Sequence, residues 1–184
     1  MHRVLIVGYA RDSRIFYIWN WQTNEKMGEH RMLGEYRSKV AKFVAQKQCV
    51  VIGGDYGSIL VGTCPTLDHF TQFRAHPANV TALAVHPTWP FLLSSCNNPS
   101  VKLWNWSHGW SCENVYEVNA SMRKIRKIMF HPTHARAFMT VHENGSAMVC
   151  LPTMLTLIFR LYLLSYVDYC LILICLEEHM YIPF

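Results

Sequence analysis

The chain has 184 residues, 51% of them hydrophobic and only 16% charged, with a formal net charge of +5. Such a composition can bury a core in one main domain; its 13% aromatic content favours strands over the solvated helices of a bundle. The positive charge is dense only at Arg123-Lys124-Ile125-Arg126-Lys127, which speaks against a nucleic-acid face.

In chain order, the apolar run Val4-Leu5-Ile6-Val7 is too short for a secretory leader, so a cytosolic start is expected. Residues 3–21 are expected to supply the last strands of a repeat unit, ending at Trp19-Asn20. Three similar units follow, opened by Ser38-Lys39-Val40-Ala41-Lys42-Phe43, by Val80-Thr81-Ala82-Leu83-Ala84-Val85, and by Ile125-Arg126-Lys127-Ile128-Met129-Phe130. Their equivalent residues Phe43, Val85 and Phe130 lie 42 and 45 residues apart.

Each unit repeats one order of events. The opening strand runs into a turn, such as His86-Pro87-Thr88 or His131-Pro132-Thr133-His134. A second apolar strand follows (Cys49–Ile52, Phe91–Ser94, Ala137–Thr140), then a tight turn (Asp55-Tyr56-Gly57, Asn97-Asn98-Pro99, Glu143-Asn144-Gly145). A third strand then alternates over Ser58–Val61, Ser100–Trp104 and Ser146–Cys150. A period near 40–45 residues with four short strands per unit is that of a WD-type β-propeller. The expected fold is therefore all-β, a partial WD40-type propeller of about 3.5 blades over residues 1–150, followed by a hydrophobic tail over 151–184.

WD blades hold a buried chain of hydrogen bonds from a loop His through a strand Ser/Thr and a turn Asp to the Trp. In the best unit the equivalents are His76, Ser94, Asn98 and Trp104. The unit before it has Ile52, Tyr56 and Gly62 at the Ser, Asp and Trp places, and the last has Thr140, Asn144 and Cys150. Most blades must therefore rely on apolar packing.

The seven cysteines are scattered, with no C-x-x-C pair, and signal neither a disulfide framework nor a zinc site. His131, His134 and His142 have metal-like residue types, but the His-Pro pairs fall on repeat turns. Gly53-Gly54-Asp55-Tyr56-Gly57 lacks the Lys-Ser/Thr ending of a phosphate loop. His76, Ser94 and Asn98 as base, nucleophile and orienter are better read as blade staples. No catalytic residue, cofactor or metal is expected.

Met154–Leu176 is a different kind of sequence. As a helix its 23 residues would span roughly 35 Å, enough for a bilayer core. Arg160 and Asp168 would each cost up to about 3 kcal/mol there, against roughly 4–8 kcal/mol returned by its Leu, Ile, Phe and Val residues. Three readings stand open: a membrane anchor, a cover for the open propeller edge, or sequence foreign to the repeat, which the abrupt stop favours.

Residues 39–154 resemble the second to fourth blades of the first propeller of coatomer subunit beta-prime. The telling stretches are Ala41–Ala45, Phe73-Arg74-Ala75-His76, Ala84–Ser94, Val101–Trp106 and Trp110-Ser111-Cys112. The Trp-Asn-Trp with a further Trp six residues beyond Trp104 sets the match apart from a generic WD repeat. The resemblance implies a non-enzymatic subunit of the COPI vesicle coat. It would be cytoplasmic and peripheral at Golgi and vesicle membranes, with other coatomer subunits and dilysine cargo tails as partners and no nucleic acid. In that family acidic residues on the propeller face pair with cargo lysines, and a basic one holds the terminal carboxylate. Here Ala78 and Asn97 stand at the expected acidic positions, and Lys39 stands where the family has Arg, so dilysine binding is expected to be weakened.

Overall fold

A strand buried on both faces shows a continuous apolar run rather than alternation, and the second strand of each repeat unit is of this kind. In the computed structural model the described residues are 4–7, 15–20, 22–31, 37–64, 66–67, 69–98, 100–118, 124–150 and 157–160. They form four antiparallel sheets in chain order. The first is β1 (Val4–Val7), β2 (Ile15–Asn20) and β3 (Glu25–Arg31). The second is β4 (Ser38–Val44), β5 (Cys49–Gly54), β6 (Ser58–Thr63) and β7 (Phe70–Arg74). The third is β8 (Val80–Val85), β9 (Phe91–Cys96), β10 (Ser100–Asn105) and β11 (Ser111–Glu117). The fourth is β12 (Ile125–Phe130), β13 (Phe138–His142), β14 (Ser146–Cys150) and β15 (Leu157–Arg160).

The sheets stack as propeller blades, and the period of two in each strand sends neighbouring residues to opposite seams. Val50 and Ile52 of β5 join Ile18, Leu60 and Leu67 between the first and second sheets. Cys49 and Val51 face the other way and meet Val80, Leu83, Leu92 and Trp104 between the second and third. Leu93, beside Leu92, joins Val101, Leu103, Ile125, Ile128 and Phe138 between the third and fourth. Each such fully buried aliphatic side chain contributes about 1.5–3 kcal/mol, so the seams hold the blades together.

The inner strands share one irregularity. The pairing register of β4, β8 and β12 with the next strand slips between Ser38 and Val40, between Val80 and Ala82, and between Ile125 and Lys127. Lys39, Thr81 and Arg126 are thus the bulged residues, one in each of the second, third and fourth blades. A bulge bends the strand and re-aims the extra side chain, and here it does so at the same end of the second, third and fourth blades.

Of the run 154–176 read as a possible helix, residues 157–160 are described, and there the structure departs from that reading. Leu157–Arg160 is a strand that pairs with β14, Val149 opposite Leu157 and Ser146 opposite Arg160. The outer edge of β14 would otherwise leave its N–H and C=O groups without ladder partners. The sheet that begins at Ile125 therefore runs past the expected boundary at residue 150. No helix among the described residues is long and apolar enough to cross a membrane; residues 161–184 lie outside the described residues.

Candidate functional site

The polar core of the third blade is built around Ser94, at the middle of β9 and fully buried. The indole N–H of Trp104 donates to Ser94 Oγ at 2.8 Å, and His76 Nε2 lies 2.6 Å from the same oxygen. His76 comes from the loop between β7 and β8, held from the second blade: the Gly57 carbonyl accepts the backbone N–H groups of Ala75 (2.9 Å) and His76 (3.0 Å). Gly57 has φ +73°, and a Cβ there would stand 1.9 Å from the His76 carbonyl oxygen. Only glycine suits that close, left-handed approach.

Asn98, expected as the fourth member, is not among the partners of this chain. Its carbonyl accepts from Cys96 Sγ at 2.8 Å and Ser100 N at 2.5 Å, while His76 Nδ1 is buried without a hydrogen-bond partner. An amide in place of a carboxylate brings no charge to hold the imidazole N–H, and the turn satisfies itself instead. Burial, with the nearby Lys102 charge adding to it, pushes the His76 pKa down to about 4. Both His76 and Ser94 are buried, so a substrate has no access to the pair. The cluster is a staple.

The neighbouring blades solve the same problem differently. In the second, Ile52 is buried, Gly62 lies against Phe70 so closely that a Cβ would meet its ring at 2.6 Å, and Tyr56 is 66% exposed at φ 60°. In the fourth, Thr140 Oγ1 lies 2.9 Å from His142 Nε2, two residues along the same strand. This strand-borne histidine was read from sequence only as a metal-like residue type. Its offset of two from Thr140 on one strand face was the available signal.

The rim at the bulged end carries the exposed chemistry. Lys39 Nζ is 3.5 Å from Asp55 Oδ1, and Arg126 forms an ion pair with Glu143. Thr81 Oγ1 is 2.8 Å from Ser95 Oγ. Asp55, Asn97 and Glu143 are equivalent positions: their backbone N–H groups donate to the carbonyls of Arg37 (2.9 Å), Asn79 (3.1 Å) and Lys124 (2.9 Å), one turn in each blade. The neutral Asn97 thus sits between two blades that keep a carboxylate at that place, each held by the bulged cation of its own blade. Lys39, expected to be available for a terminal carboxylate, is engaged with Asp55. Ala78 lies in the same rim loop, with its carbonyl near Gly57.

At the opposite end, His86 Nδ1 accepts the N–H groups of Thr88 (3.1 Å) and Trp89 (3.0 Å), and His131 Nδ1 those of Thr133 (3.2 Å) and His134 (3.3 Å). These imidazoles cap their own turns, and no group of three or more His, Cys, Asp or Glu among the described residues is placed to hold a metal. The Gly53–Gly57 segment is the end of β5 and the turn into β6. Cys49, Cys64, Cys96, Cys112 and Cys150 are free thiols.

Sheets of this order, period and stacking define a WD-repeat β-propeller fold. Comparison with solved structures agrees. The β-propeller domain of Myceliophteria thermophila Cps50 (Swd1) is similar with a TM-score of 0.58 and 17% identity, covering 72% of this chain and 41% of that one. The structure of U3-55K matches with a TM-score of 0.69 and 15% identity, covering 85% of this chain and 54% of that one. The RRP9 WD40 repeats match with a TM-score of 0.69 and 15% identity, covering 85% and 53%. Identities so low speak to the fold. Among curated proteins, Nuclear distribution protein PAC1 of Cryptococcus neoformans var. neoformans serotype D is 51% identical over 35 residues, 19% of this chain and 8% of that protein. No protein-family model matches. The chain thus spans about half the length, or less, of the propellers it resembles.

Proposed function

We propose that the chain is a non-catalytic, protein-binding scaffold related to the beta-prime coat subunit, acting in vesicle-mediated transport between Golgi and endoplasmic reticulum. The observation that carries the scaffold reading is that the buried polar clusters are absorbed in holding blades, while the bulged rim leaves paired charges exposed. The Trp104–Trp106–Trp110 pattern supports the coat over other scaffolds: Trp104 and Trp106 fill the seam between the second and third blades, with Trp110 packed against them. Its site of action would be the cytoplasmic face of Golgi and vesicle membranes, held there peripherally.

A generic WD scaffold is the second reading, favoured by the short match to PAC1 and equally consistent with the shared WD-repeat fold. A pull-down from cytosol probed for coatomer subunits separates the two; their absence overturns the coat assignment and leaves the scaffold. Dilysine peptides are expected to bind at least about ten-fold more weakly than to an intact coat propeller, since Ala78 and Asn97 bring no carboxylate and Lys39 is engaged. Ala78→Asp with Asn97→Asp should recover part of the loss in a titration. Equal affinity before the change would show that the site lies elsewhere.

A further inference from the structure

The turn between β13 and β14 carries the single Asn-Gly pair of the chain, Asn144-Gly145. Its closing bond runs from Gly145 N to the His142 carbonyl at 3.1 Å, and Gly145 takes φ +77°. A turn that ends on such a left-handed residue favours glycine. Glu143 and Asn144 are exposed at its tip. The Asn144 side-chain oxygen Oδ1 accepts from Ser146 N at 3.0 Å and from Ser146 Oγ at 2.6 Å. These two bonds fold the amide back along the chain, past the Gly145 nitrogen, and draw electron density onto its oxygen.

From this arrangement we infer that Asn144 is a site of spontaneous deamidation, with the Gly145 nitrogen as nucleophile and Ser146 holding the developing oxyanion. The Gly145 N–H gives its proton to solvent base, and the nitrogen forms a bond to Asn144 Cγ. Oδ1 gains negative charge in that step, and the Ser146 N–H and O–H already point at it. The Cγ–Nδ2 bond then breaks, Nδ2 takes a proton from water and leaves as ammonia, and a five-membered imide remains. Water opens the imide at either carbonyl, giving aspartate or isoaspartate. A side chain on the following residue would crowd the closure of that ring; Gly145 has none. Asn98, in the corresponding turn of the third blade, precedes Pro99, whose nitrogen has no hydrogen to lose. The product places a carboxylate next to Glu143, the partner of Arg126 on the bulged rim, and lowers the formal net charge of +5 by one. In the aspartate form the two Ser146 donors reach a charged acceptor, a stronger arrangement than the amide offers. In the isoaspartate form the main chain runs through the former side chain, and the turn lengthens by one methylene.

The test is mass spectrometry on the full chain, kept folded at physiological temperature and mildly alkaline pH, sampled over days and digested with trypsin. Asn144 is the only Asn or Gln in the peptide Ala137–Arg160. A mass gain there equal to the exchange of an amide for a carboxyl group therefore reports this site alone. The peptide Ala75–Lys102, which holds Asn79, Asn97 and Asn98, is the internal reference. The first peptide should convert at least about ten-fold faster than the second and faster still as pH rises, and enzymatic methylation should detect isoaspartate in it. Ser146→Ala should slow the conversion at least about three-fold, since it removes one of the two oxyanion donors, and Ser146→Thr should restore it. Circular dichroism checks that both variants are folded. Equal rates in the two peptides, or a rate indifferent to pH, would overturn the site. Conversion as fast in folded Ser146→Ala as in the parent would overturn the part assigned to Ser146.

Discussion

The second and third blades have the same strand order, the same bulge and the same seam between them, yet their centres are opposite in chemistry. The third places Ser94 between His76 and Trp104 and buries all three; the second has Ile52 and Gly62 at the Ser and Trp places. A buried polar chain is favourable only when its members are satisfied, and His76 Nδ1 is not. The apolar centre carries no such liability, but it has no directional bonds to fix its geometry. Steric fit supplies that instead, through Phe70 against Gly62 and the glycine turn at Gly57. One architecture thus tolerates a hydrogen-bonded and a packed solution side by side, provided the seams stay apolar.

The comparison is broken most severely from the packed side. Ile52→Ala should cost about 2–5 kcal/mol, because rigid neighbours at Ile18 and Leu60 leave a cavity. A urea midpoint within error of the parent would show that the seam between the first two sheets is loosely packed. Acid tests the hydrogen-bonded side. With a folded His76 pKa of about 4 against an ordinary 6.5, the unfolded chain holds the extra proton between those values. Stability is therefore complete above about pH 6.5 and declines toward pH 4, by an amount on the order of 3 kcal/mol. His76→Phe should flatten most of that slope in urea melts across the range. An unchanged slope would place the acid sensitivity elsewhere, with His86, whose pKa burial also lowers, the next candidate.

Ser94→Ala comes next, at about 1–3 kcal/mol, since it strands the Trp104 N–H and His76 Nε2 in the interior. Ser94→Ala combined with His76→Phe should cost less than the sum of the two, because the second change removes a group that the first leaves unsatisfied. Strict additivity in the double-mutant cycle would mean that the 2.6 Å contact carries no coupling.

The sequence made the inner three strands of each blade legible because their apolar runs are bounded by Gly, Asn and Pro turns. The outermost strands β3, β7 and β11 escaped it. Glu25–Arg31 and Ser111–Glu117 face solvent on much of both sides, so no burial imposes an apolar pattern on them. Leu157–Arg160 was hidden for the opposite reason, embedded in an apolar run with neither period visible. On the rim, the network reading aligned Tyr56 and Asn144 with Asn98 at the turn. The charged members stand one residue earlier, at Asp55 and Glu143, offsets of 42 and 46 residues around Asn97. That spacing was in the sequence; the bulge that turns Lys39 and Arg126 toward them was not, since it depends on register across two strands.

The smallest effect expected concerns those rim pairs, and it separates a structural role from a binding one. Lys39 and Asp55 are 3.5 Å apart, with the lysine side chain 47% exposed and the carboxylate 16%. An ion pair open to water on one side is worth a few tenths to about 1 kcal/mol and is screened by salt. Lys39→Ala, Asp55→Asn and the double variant should therefore give a coupling energy below about 1 kcal/mol in urea melts at low ionic strength, fading at 0.5 M salt. Arg126 with Glu143, at 59% and 39% exposure, should behave alike, because the bulge places it in the same way. A coupling above about 2 kcal/mol that resists salt would make the pair a staple comparable to Ser94. It would also remove the rim carboxylates from any role in meeting a partner, since a charge held so firmly would not exchange its lysine for another.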